Sequence, residues 1–194
     1  ATGTCPIVIT RTYMVTDACG NTSAPIIHTI NLNDTNPPEA TGTLSMINVE
    51  GCSIADAPAA VTTVAALEAL PGNLLVTDGC TSDANITVTH SQTTSGSCPL
   101  VVTRTYVVAD ACGNTASTVQ VIQVDDNTSP VITGSIANTN IQGCSAAAAP
   151  APATTVAALE ALGLTITDQC TADANLLVSS SDVSLGTCPI VITR

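Results

Sequence analysis

The sequence has no lysine, no tryptophan and no phenylalanine, and only two tyrosines and three arginines in 194 residues. Without lysine there can be no lysine nucleophile, no phosphate-cradling lysine and no lysine isopeptide crosslink. Fifteen acids against three arginines give a formal net charge of -12. No basic patch exists to neutralise phosphates, which excludes nucleic acid as a partner. An anionic membrane surface would repel such a chain, and neither a transmembrane run nor a signal peptide is visible. With two histidines and no CxxC pair, the pattern argues against zinc or iron–sulfur ligation. No serine sits in a GxSxG elbow. His28 and His90 do not recur in the internal repeat set out below, Ser180 standing where His90 would return. The expectation is a protein that is not an enzyme.

What is present is small, branched and sulfur-rich. There are 32 threonines and 27 alanines, and apolar residues make up 45% of the chain, too apolar for simple disorder. Nine cysteines stand at positions 5, 19, 52, 80, 98, 112, 144, 170 and 188. Disulfides are the better reading of them, which implies an oxidising, extracellular or cell-surface location.

The cysteines expose a repeat. Cys5, Cys98 and Cys188 are separated by 93 and 90 residues, Cys19 and Cys112 by 93, Cys52 and Cys144 by 92, and Cys80 and Cys170 by 90. CPIVITRTYMVTDACGNT from Cys5 returns as CPLVVTRTYVVADACGNT from Cys98, identical at 14 of 18 positions. TTVAALEAL at 62–70 returns unchanged at 154–162, and DGCTSDAN at 78–85 returns as DQCTADAN at 168–175. The final CPIVITR repeats Cys5–Arg11, so the chain reads as a piece of a longer array. NDTNPPEATG and DDNTSPVITG have linker chemistry, because proline cannot continue a central strand. The expected organisation is the C-terminal part of one repeat at 1–36, a complete repeat at 37–127, and the N-terminal part of a third at 128–194.

Within the complete repeat, strands are expected at Leu44–Glu50, Leu74–Thr77, Ile86–His90, Leu100–Ala109 and Thr118–Val124. A helix is expected within Val61–Leu70, and DACGN reads as a hairpin turn in which Gly113 and Asn114 can take positive φ. Many short strands in about 90 residues indicate an all-β chain of tandem immunoglobulin-like β-sandwiches, with a short helix in one crossover. That strand order places Cys52 and Cys98 at one pole and Cys80 and Cys112 at the other. Cys98 cannot meet Cys112 across an extended run of about 30 Å. The expected disulfides are Cys52–Cys98, Cys80–Cys112 and Cys144–Cys188, leaving Cys5, Cys19 and Cys170 to partners elsewhere.

The succession CPxVxTRTYxVxDACGNT, SPVIxG, GCS, TVAALEAL and DxCTxDAN resembles the HYR-like (hyalin-repeat-like) modules of large secreted and cell-surface proteins of Bacteroidota, many of them adhesins. The resemblance covers essentially the whole chain, and its most specific part is the Arg-Thr-Tyr strand with the DACGN hairpin. It implies an immunoglobulin-like fold without catalytic residues. It also implies a structural set of Cys98, Arg104, Tyr106, Asp110, Cys112, Gly113 and Asn114, matched by Cys5, Arg11, Tyr13, Asp17, Cys19, Gly20 and Asn21.

Arg104 and Tyr106 share one strand face with Leu100, Val102 and Val108 by period two. Tyr106 is expected to pack inward with its hydroxyl bonded to backbone, and Arg104 to meet a carboxylate such as Glu68 or Asp110. Asp34, Glu39, Asp125 and Asp126 flank the linkers and are candidate calcium ligands, although calcium needs six to eight oxygens. No other cofactor is expected. The functional expectation is a structural stretch of an extracellular stalk or filament, part of a giant adhesin. Its partners would be adjacent repeats of the same chain and laterally associated copies. The alternative is a glycan- or protein-binding adhesion module, for which the divergent loop pair Ser91–Ser97 and Ser181–Thr187 is the place to look.

Overall fold

The computed structural model describes residues 5–187 and 189–194. The fold combines several small, mostly antiparallel sheets with two five-residue helices. The chain divides into two compact units, Ala1–Asp125 and Asp126–Arg194. The first therefore holds the tail of one repeat together with nearly all of the complete repeat.

In the first unit, β1 (Ile7–Tyr13) and β2 (Ile26–Leu32) form an antiparallel pair. β3 (Glu39–Thr41) pairs with β5 (Leu75–Thr77). A four-stranded sheet has the order β4-β8-β7-β6, built from β4 (Ile47–Glu50), β6 (Thr87–Ser95), β7 (Leu100–Ala109) and β8 (Thr115–Asp125). β4 runs parallel to β8, with Glu50 opposite Asp125, and Leu100 at the start of β7 lies opposite Val124. The chain segments leading to Cys52 and Cys98 thus sit at one pole. The β7–β8 hairpin turn lies at the other. The segment Ser91–Ser97, expected as a loop, is strand as far as Ser95, because threonine and serine extend the β6–β7 ladder to Val101.

The helix α1 (Val64–Glu68) is shorter than its apolar spacing suggested. Thr63 caps it by accepting a hydrogen bond from the Ala66 N–H at 3.3 Å, and Pro71-Gly72 follow it closely. It buries Val64 and Leu67, each worth roughly 1.5–3 kcal/mol of apolar burial. They pack with Leu44, Leu74, Val76, Ile86, Val88, Tyr106 and Val108 in one cluster drawn from both sheets and the helix. Val102, Ile122 and Val124 form a second, smaller cluster. The Glu68 carboxylate accepts from the Val76 N–H at 2.8 Å, tying helix to β5.

The second unit repeats these devices. β9 (Val131–Gly134) pairs with β10 (Leu164–Thr167), and β11 (Val183–Leu185) with β12 (Val191–Thr193). α2 (Val156–Glu160) is capped by Thr155, and Glu160 accepts from the Ile166 N–H at 3.3 Å.

Tyr106 is fully buried, and its hydroxyl accepts from the Val61 N–H at 3.4 Å. Its repeat counterpart Tyr13 is 48% exposed. Arg104 is 4% exposed and donates from Nε to Gln92 Oε1 at 3.1 Å. The carboxylate partners expected for Arg104 are elsewhere: Glu68 is occupied by the β5 backbone and Asp110 by its own turn. At the equivalent position, Arg194 does meet a carboxylate, with Nε and Nη2 at 2.6 and 2.7 Å from the two oxygens of Asp182. Asp182 stands where the complete repeat has Gln92.

Candidate functional site

The DACGN hairpin is organised by one carboxylate. Asp110 Oδ1 accepts from the N–H groups of Cys112 and Asn114, both at 2.8 Å, and Oδ2 from Asn114 Nδ2 at 2.7 Å. Burial alone would raise the Asp110 carboxyl. The Asn114 side chain and the N–H groups of Asn114, Cys112 and Gly113 outweigh it and hold the group below the ordinary carboxylate range. The left-handed position is taken by Gly113, at φ +89. Asn114 does not share it, since among the described residues only glycines have positive φ. Its side chain serves as a donor to Asp110 instead. Asp17, Cys19, Gly20 and Asn21 build the same turn in the preceding repeat, with corresponding bonds of 3.0, 2.8 and 2.8 Å and Gly20 at φ +88.

The hairpin presents Cys112 to the tail of the preceding repeat. Cys112 forms a disulfide with Cys5, with Cα atoms 5.1 Å apart and a sequence separation of 107. Beside it, Asn114 Nδ2 donates to the backbone carbonyl of Asp34 at 3.2 Å. Ile7, Asp34, Cys80, Thr81, Asn85, Ala111 and Cys112 line an open cleft here. Thr81 holds the floor, its hydroxyl accepting from the Ala111 N–H at 3.3 Å and its own N–H bonded to Asp78 Oδ1 at 2.6 Å. Cys80 is an exposed free thiol. The Asp34 carboxylate facing it pushes the thiol above its ordinary range, reinforced by burial, by the Cys80–Asp34 hydrogen bond and by Asp78 and Asp110.

This pairing replaces the expected one. Cys112 is bonded to Cys5 rather than Cys80. Cys98, Cys80, Cys144 and Cys19 carry free thiols, so neither Cys52–Cys98 nor Cys144–Cys188 is formed. Cys188 lies outside the described residues. Cys52 and Cys170, by contrast, are disulfide-bonded. Cys80 lines the same cleft as Cys112 but keeps its thiol, and Cys112 is joined to Cys5 of the preceding repeat's tail.

Of the candidate calcium ligands Asp34, Glu39, Asp125 and Asp126, Asp34 belongs to a cluster of potential metal ligands. Among the described residues, one group could hold a metal ion: Asp34, Asp110 and Cys112, with ligand atoms within 4.8 Å of one another. Its donors do not suit calcium. The Cys112 sulfur is in a disulfide, both Asp110 oxygens are engaged by the hairpin, and Asp34 alone falls far short of six oxygens. Glu39 lies on β3. Asp125 Oδ1 accepts from the Cys98 thiol at 3.4 Å, and Asp126 caps its own turn through the Thr128 hydroxyl at 2.7 Å.

No family model, curated protein or solved structure matches the chain. The junction between repeats is what sequence reading missed. Its contact from Asn114 is to the backbone carbonyl of Asp34, which leaves no signature in residue type.

Proposed function

We propose that this chain is a stretch of tandem immunoglobulin-like β-sandwich repeats, of the HYR-like kind, that serves as an extracellular stalk or filament of a giant cell-surface adhesin. Its work is mechanical rather than catalytic. Repetition supplies length, and the lack of lysine removes half the cleavage sites of trypsin-like proteases. The high net negative charge opposes nonspecific aggregation. The observation that carries this reading is the Cys5–Cys112 bond, which joins the tail of one repeat to the body of the next within one compact unit. A covalent tie between successive repeats limits bending at the joint, as an extended element requires and as a freely jointed spacer does not. Partners in this reading are neighbouring repeats and, laterally, further copies of the array.

Electron microscopy of the native assembly tests the proposal. Straight rods with an axial period of one repeat, single or laterally bundled, are the expected result. Compact particles with no axial period would refute it.

A further inference from the structure

The four cysteine positions of the repeat each occur in two described copies, and the two copies differ in state. Cys5 is bonded while Cys98 is a thiol, and Cys112 is bonded while Cys19 is a thiol. Cys52 is bonded and its counterpart Cys144 is a thiol; Cys170 is bonded and its counterpart Cys80 is a thiol. Pairing inside a repeat would leave all four cysteines of the complete repeat bonded. Instead Cys52 and Cys112 are bonded there while Cys80 and Cys98 are free.

Cys98 is nonetheless held as Cys5 is. Each precedes its strand by two residues, with Ile7 opposite Leu32 in one copy and Leu100 opposite Val124 in the other. The Cys5 sulfur lies 3.2 Å from Asn33 Oδ1, and the Cys98 sulfur 3.4 Å from Asp125 Oδ1, the equivalent residue. The receiving hairpin is likewise preformed in both copies, since Asp17 and Asp110 make the same three bonds. Both halves of the Cys5–Cys112 bond are therefore duplicated, and the duplicates are exposed and free.

We propose that Cys98 is the forward half of a repeat-to-repeat disulfide whose other half is the hairpin cysteine, at the Cys112 position, of the repeat that follows it. Each junction of an in-register array then carries the bond seen at Cys5–Cys112. The inference rests on the tandem-array reading above. Bond formation consumes a disulfide oxidant, either a small-molecule disulfide or an oxidoreductase. One protein thiolate attacks the oxidant and releases a thiol. The second displaces the other thiol from the mixed disulfide. Two protein thiols thus become one disulfide, and the oxidant takes up their two electrons and two protons.

The test is a chain in which residues 1–194 are followed in register by residues 12–194 of a second copy, so that Arg194 takes the place of Arg11. It is oxidised in a glutathione redox buffer, alkylated, digested with pepsin at low pH and mapped by mass spectrometry. Only preparations containing Cys5–Cys112 are scored, which ensures a native junction. The expected product is a peptide pair joining Cys98 to Cys19 of the appended copy, with alkylation at Cys98 falling at least tenfold relative to the 194-residue chain. The variant with Cys19→Ser in the appended copy should restore Cys98 alkylation and leave Cys5–Cys112 intact. Cys98 joined to Cys52, or Cys98 alkylated as before in the extended chain, overturns the proposal. Micrographs of the same chain separate the two readings. Rods without the new bond sink the disulfide alone, and the bond without rods sinks the stalk.

Discussion

Removing the Cys5–Cys112 bond should cost the first unit much of its stability. The bond closes a loop of 107 residues, for which the chain-entropy relation gives about 5 kcal/mol at 25 °C. A unit of this length loses entropy on folding such that the same figure corresponds to a fall in Tm of about 15–20 °C. The perturbation must be Cys5→Ser rather than a reductant, because Cys52 and Cys170 are also disulfide-bonded and would open together with it. Scanning calorimetry of the wild type and variant, with the remaining thiols blocked, reads the shift directly. Cys112→Ser should give the same shift to within a few degrees, since both variants delete one bond. A change below about 3 °C in either variant would refute the reasoning. It would mean that the tail and the complete repeat are held together by their surfaces alone, or that the sulfur atoms are not joined in solution.

The remaining predictions concern the interior and the turns. Tyr106→Phe leaves the Val61 N–H without its acceptor and should cost about 1 kcal/mol in urea denaturation, whereas Tyr13→Phe, at an exposed ring, should be neutral. Gln92→Asp installs opposite Arg104 the carboxylate that Arg194 already has in Asp182; it should stabilise by about 1 kcal/mol at pH 7, and a neutral or destabilising result would show that Arg104 is satisfied by the amide. Asp17, Asp110 and Asp168 all titrate below the ordinary carboxylate range because backbone and side-chain donors face them. Their folded values lie below their unfolded ones, so their contribution is complete above about pH 4 and is lost as pH falls through the folded values. Stability followed by circular dichroism from pH 6 to pH 2 should decline accordingly, and Asp110→Asn should flatten the decline while lowering stability at neutral pH.

The longer strands and the helix of the complete repeat were legible because they depend on local pattern, whereas the short β3 lies in a segment with linker chemistry and β4 begins at Ile47 rather than Leu44. Alternation along Leu100–Ala109 put Val102, Arg104, Tyr106 and Val108 on one face, and apolar spacing within Val61–Leu70 placed a helix there, while its Thr63 cap emerges only in the structure. The same reasoning placed Cys52 and Cys98 toward one pole, and Cys80 and Cys112 toward the other. It failed at the pairing for a physical reason. In a tandem repeat every cysteine has a copy about 90 residues away with the same neighbours, so spacing alone does not distinguish a partner in the same repeat from one in the next. Both Cys80 and the tail of the preceding repeat lie beside Cys112, and only the tertiary structure shows that Cys5 is the partner. Of the linker acids, among the described residues, only Asp34 falls in a group of potential metal ligands, beside Asp110 and Cys112, a juxtaposition across two repeats that local pattern does not reveal.

The Cys5–Cys112 crosslink also determines how the chain answers to tension. A pull entering along the chain at Cys5 passes through sulfur to Cys112 and bypasses the intervening chain, a sequence separation of 107. At about 3.5 Å per extended residue, some 370 Å of contour length stays locked even when the surrounding sheets yield. Such an element would transmit traction stiffly in an oxidising medium. Exposed to reductant, it would become a slack tether several times longer.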